Sequence, residues 1–109
     1  MSNPIKLICK SIWYYSSIDE DMFFTWIEKI PSIMRYDGQY DELYLYIKTK
    51  KINHQDLTEL IGLFYRYKVE MKQLSIFLNA SNKNWFFDNK KAYWHRKVFG
   101  APTKTKNMS

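Results

Sequence analysis

Between Asn53 and Phe64 the apolar residues Leu57, Leu60, Ile61 and Phe64 recur three and four places apart. That spacing puts them on one face of a helix, and a helix with one apolar face must bury it against something. Asn53 stands before the stripe with Asp56 three places on, a pattern that satisfies the free amide groups of a first helical turn. The chain must therefore fold around a helix at about 53–66. Gly62 lies inside it, at a cost of about 1 kcal/mol relative to alanine unless it permits close packing.

A second helix is predicted near 18–30. Ser17 is followed three places later by Glu20, and Asp19, Glu20 and Asp21 place negative charge where the helix dipole favours it. Phe23, Trp26, Ile27 and Ile30 supply its apolar face. Pro31 ends that helix or starts another, with Ile33 and Met34 as its apolar contribution. Met71, Leu74, Phe77 and Leu78 predict a third helix near 70–79, after a joint at Tyr67–Val69. A single helix from Asp56 to Leu78 is the alternative, if its stripe drifts in phase. NASNKN, residues 79–84, reads as a loop. A short helix at 89–97 follows Asp88, with Gly100 and Pro102 as its stop.

Asp37-Gly38 is a turn signal. The segment after it is ambiguous. Leu43, Leu45 and Ile47 alternate with Tyr44 and Tyr46 as in a strand, yet Leu43, Tyr46 and Ile47 also share a helical face behind Asp41. A strand here would need a mate, and only IKLICKSIWYY near the N-terminus offers one. The expected fold is mainly α, a small compact helical domain over 1–100; a short strand pair, giving an α+β domain, is the alternative. Residues 101–109 read as a flexible, basic, dispensable tail.

With 109 residues this is one domain. Its net charge of +6 is uneven: residues 1–79 carry ten basic and ten acidic residues, whereas residues 80–109 carry seven basic and one acidic. A basic end attracts nucleic acid, anionic lipid or an acidic protein surface. Cys9 is the only cysteine, so no internal disulfide is possible, which fits a reducing compartment. No secretory leader and no membrane-length apolar run is apparent, and a cytoplasmic location is expected.

Chemical motifs are scarce. His54 and His95 belong to no metal-binding pattern, and no metal or cofactor is expected. Cys9 reads as a buried structural residue, and there is no phosphate-cradling glycine loop or serine nucleophile turn. The chain is not expected to be an enzyme. Positive charge interleaved with rings at Lys90, Lys91, Tyr93, Trp94, Arg96 and Lys97 gives one binding hypothesis, engagement of nucleic acid.

A second hypothesis comes from resemblance. In WIEKI, DLTELIGLFYRYK, KQLSIFL and YWHRKVFG the chain resembles small immunity proteins of bacterial contact-dependent growth inhibition systems, from about Asp19 to Gly100. The resemblance implies a cytoplasmic inhibitor that binds, one to one, the C-terminal toxin domain of a cell-surface effector, many such toxins being nucleases, often acting on tRNA. No motif of the class assigns residues. An acidic and aromatic surface drawn from Asp19, Glu20, Asp21, Glu42, Tyr44, Tyr46, Glu59 and Tyr65 is the candidate toxin-binding face. The positive net charge fits poorly with a basic nuclease cleft; a local acidic face on the neutral first 79 residues, a toxin that is acidic overall, and binding away from the nucleic-acid cleft are the alternatives.

Overall fold

A computed structural model describes residues 4–100. The elements run β1 (Ile5–Lys10), α1 (Ser17–Glu28), β2 (Ile33–Gln39), β3 (Glu42–Ile47), α2 (His54–Arg66), a 3-10 helix (Met71–Phe77), α3 (Lys83–Phe86) and α4 (His95–Phe99). The proposed tail at 101–109 lies outside the described residues.

The domain is α+β, which corrects the mainly α expectation. Its three strands form an antiparallel sheet of order β1-β3-β2. The ambiguous segment is the central strand, and its mate is IKLICK, with Leu7 opposite Leu45 and Cys9 opposite Leu43. Alternation decides the matter: Leu45 and Ile47 are buried beside Leu7 and Cys9, while Tyr44 and Tyr46 point to the other face. Strand β2 takes the place of a helix at Ile33–Met34. It pairs with β3 through a bulge at Met34, and Gly38 lies within it opposite Leu43. The turn falls later than Asp37-Gly38, at Tyr40-Asp41, between the paired Gln39 and Glu42.

Both long helices form as their stripes require. The cap of α1 is one residue earlier than expected: Ser16 Oγ accepts from the Asp19 amide at 3.1 Å, and the Asp19 carboxylate accepts from the Tyr15 amide at 2.9 Å. In α2 the Asn53 side chain accepts from the Asp56 amide at 2.7 Å. The buried Asp56 carboxylate does not reach back to Asn53. It accepts from the amide and hydroxyl of Ser32, tying the start of α2 to the approach to β2.

Leu57, Leu60, Ile61 and Phe64 are all fully buried, and they join Phe23, Ile27, Leu45, Ile47 and Phe77 in one core. Gly62 has a packing reason, since a Cβ there would lie 3.3 Å from Cζ2 of Trp26. Trp26 in turn donates from Nε1 to Glu59 Oε1 at 2.8 Å, so one indole fixes the crossing of α1 and α2.

Helix α2 stops in a Schellman closure: the Val69 amide donates to Phe64 O at 2.9 Å and the Lys68 amide to Tyr65 O at 3.4 Å. That closure excludes one helix through to Leu78. The next segment is a 3-10 helix rather than an α-helix. Its buried residues Met71, Leu74 and Phe77 are spaced by three, the repeat that a 3-10 helix aligns, and Leu78 is left partly exposed. The helix expected at 89–97 also shifts. Asp88 ends α3, with its amide on Lys83 O and its carboxylate on Lys83 Nζ, and α4 starts only at His95.

Candidate functional site

The link from β1 to α1 is built on alternation. Ile12 and Tyr14 pack toward the core, Tyr14 against Phe23 with ring centroids 5.6 Å apart. The residues between and after them point outward: Trp13 is 72% and Tyr15 83% exposed, and Ile18 and Met22 on the first turns of α1 are 69% and 61% exposed. These four residues line one groove of about 710 Å³, with Asp19, Arg66 and Lys68 as its charged lining residues. Isolated apolar residues are ordinary on a surface; here four large ones share one groove, which makes it a candidate site.

A second groove, of about 580 Å³, adjoins the first. Lys10 from the end of β1, Lys68 and Lys72 from the segment after α2, and Arg96 and Lys97 from α4 all line it. Glu70 is its only acidic lining residue. Tyr65 stands at its margin, edge-to-face with the exposed Tyr93 at 4.7 Å, and Lys97 Nζ lies 5.8 Å from the Tyr65 ring.

Two residues line both grooves, Ser11 and Lys68. Both hold left-handed backbone, with φ of 52° and 59°. A side chain is costly in that region, and such conformations persist where the surrounding fold enforces them. At Ser11 the enforcement is visible: its amide donates to Asp41 O at 2.7 Å and its hydroxyl to Asp41 Oδ2 at 2.8 Å. At Lys68 it is the Schellman closure, completed by the buried pair Phe64 and Val69.

The structure does not gather the eight residues of the acidic and aromatic face on one surface. Asp19 is engaged within the fold, accepting from Tyr67 Oη at 3.0 Å as well as from Tyr15, while Glu20 and Asp21 are exposed beside it. Burial and the Asp19 hydrogen bond raise the Tyr67 phenol above its ordinary pKa. Glu42, Tyr44 and Tyr46 lie on the sheet face opposite the core. There Lys6 sits over Tyr44 at 4.6 Å, Arg35 over Tyr46 at 3.8 Å, and Tyr44 donates to Glu42 at 2.7 Å, which pushes the Tyr44 phenol up. Glu59 holds Trp26, and Tyr65 belongs to the basic groove.

The aromatic and basic segment near the C-terminus is also divided. Trp94 is buried against Phe86 and Trp85, so its ring is core. Arg96 and Lys97 enter the basic groove; Lys90 and Lys91 are exposed in the turn before α4 and do not line it. Sequence reasoning missed Trp13, Tyr15, Ile18 and Met22 as surface residues. The sequence carries no signal for this, since Ile12 to Tyr15 is an unbroken apolar and aromatic run and only the fold turns alternate members outward.

Cys9 is fully buried, and burial pushes its thiol up to about 12, far from the thiolate that reactions at neutral pH require. The His95 ring lies 2.6 Å from Phe87 O through Nε2, a structural contact inside the C-terminal cluster. Among the described residues no three potential ligands gather in a metal-binding group, and no helix is long and apolar enough to cross a membrane. Comparison with family models, curated proteins and solved structures finds no match for this chain.

Proposed function

We propose that this chain is a stoichiometric protein inhibitor: a cytoplasmic immunity protein that binds and neutralises the C-terminal toxin domain of a contact-dependent growth inhibition effector, without a catalytic step of its own. The observation that carries the reading is the exposed cluster of Trp13, Tyr15, Ile18 and Met22 on one groove. Aromatic anchors surrounded by a polar rim are what tight protein interfaces use as their energetic centre. Here they stand on a link pinned by the Tyr14 packing and the Ser16 cap, so little ordering remains to be paid on association.

Charge refines the reading. Arg66 and Lys68 line the groove against one carboxylate, Asp19, which Tyr15 and Tyr67 already engage, and this net positive lining favours an acidic partner surface. A nuclease toxin would then be engaged beside its basic nucleic-acid cleft rather than within it.

The reading predicts a toxin domain encoded beside this gene, and the test is co-expression with that domain, followed by size exclusion and titration calorimetry. A one-to-one complex is expected, and Trp13→Ala or Ile18→Asp should weaken it by roughly 30-fold or more, the effect of losing a hot-spot residue. No complex, or a complex indifferent to both substitutions, overturns the reading.

A further inference from the structure

We infer that the basic groove between β1, the segment after α2 and α4 is a binding site for the backbone of a single-stranded nucleic acid. This goes beyond the inhibitor reading and does not rest on it, because the groove shares only Ser11 and Lys68 with the apolar one.

Five cations line it: Lys10, Lys68, Lys72, Arg96 and Lys97. They come from segments far apart in the chain, so their convergence is a product of the fold and not of a charge run. Among the described residues the sole ion pair is Lys83–Asp88, which leaves all five without a carboxylate partner. Like charges gathered in a concavity repel one another and focus a positive potential, and a bound polyanion relieves that cost. Glu70 offsets one of the five, and the remaining four positive charges still exceed what one phosphate group can neutralise, so the matching ligand carries repeated charge.

The rings choose among polyanions. Tyr65 lines the groove and is 42% exposed, and Tyr93, 59% exposed and outside the lining, stands edge-to-face against it. Cationic walls beside accessible aromatic faces form the arrangement that tracks a phosphate backbone and stacks its bases. An acidic peptide would leave these rings unused. A duplex is disfavoured by shape, since its grooves are read by elements that protrude from a protein, and this site is concave.

The experiment is fluorescence anisotropy of the full chain with a short labelled oligouridylate, at several NaCl concentrations. Five phosphate contacts to a single strand give a log–log salt slope near −3.5, so the affinity should fall roughly 100-fold between about 50 and about 200 mM NaCl. Replacing Lys72 and Arg96 together by Gln should lower the slope by about 1.4 and weaken binding at low salt. Changing Lys48 and Lys51, exposed cations outside the groove, removes the same charge and should do neither. Tyr65→Ala should weaken binding by roughly 5- to 150-fold, and Tyr65→Phe should restore most of it, because stacking needs the ring and not the hydroxyl. Four outcomes overturn the inference: no binding at low salt; equal losses from the two charge pairs; equal affinity for a duplex of the same length; or tighter binding of an oligoglutamate peptide, which reassigns the groove to an acidic protein.

Discussion

The side-chain amide of Gln73 pairs with both backbone groups of Ile8: the Ile8 amide donates to Gln73 Oε1 at 2.6 Å, and Gln73 Nε2 donates to Ile8 O at 2.8 Å. One side chain of the 3-10 helix thus imitates a neighbouring strand along the free edge of β1, and covering an edge in this way blocks pairing with another chain. The same Nε2 also donates to Glu70 O at 2.8 Å, which fixes the carboxamide to its own segment.

Gln73→Ala should therefore destabilise the domain by about 1–3 kcal/mol, the cost of leaving partly buried backbone groups unpaired. Urea unfolding followed by circular dichroism measures it. A loss below about 0.3 kcal/mol would show that water replaces the carboxamide without penalty.

The core prediction concerns Leu60, which is fully buried between the helices and the sheet. Leu60→Ala should cost about 2–5 kcal/mol in the same assay. Leu60→Met, which nearly conserves volume, should cost less than about 1.5 kcal/mol.

The alkaline limb of stability should report Cys9 and Tyr14. Burial raises both groups to about 12, from 9.0 and 10.0 respectively, and nearby acidic groups add to the effect at Tyr14. A protonated form favoured by folding contributes stability that is fully present below the unfolded pKa. That contribution is lost as pH rises through the folded one. Stability should fall between about pH 9 and pH 12. Cys9→Ser should flatten the part that begins at the lower end of the window. Native Cys9 should also resist a thiol-specific chromogenic reagent near neutral pH and react once urea unfolds the chain.

Tyr40 tips the β2–β3 hairpin with φ of 56° and its side chain fully exposed. Tyr40→Gly should stabilise the domain by roughly 0.5–1 kcal/mol, because relief of the left-handed backbone outweighs the added freedom of the unfolded chain. Thermal unfolding would show a raised midpoint; a lowered one would mean that the tyrosine ring makes a compensating contact.

The parts of this fold that the sequence made legible are those where local signals agree. Helix α2 has a cap and a stripe where its residues place them, whereas its stop at Lys68, with no glycine to announce it, left a longer helix open until the fold closed it. The Leu43–Ile47 segment carried two compatible patterns, and only the presence of a second alternating segment at Ile5–Lys10 resolves them. Strand β2 was illegible for a different reason. Apart from its first residue it faces solvent, so IMRYDGQ lacks the buried alternation that announces a strand. The grooves were hidden in opposite ways. Trp13 and Ile18 look like core because apolar residues usually are. Lys10, Lys68 and Lys72 look like scattered surface charge until the fold brings them beside Arg96 and Lys97.

Lys68, which with Ser11 lines both grooves, sets stability and recognition against each other. Glycine at Lys68 would ease the left-handed backbone and should raise the melting temperature. It would also delete the one cation that faces both grooves. A laboratory selection for heat tolerance alone would therefore tend to erase this lysine early, while a selection that also demanded binding would retain it. Which residue survives at position 68 under each regime is a direct readout of what the shared lining of the two grooves is for.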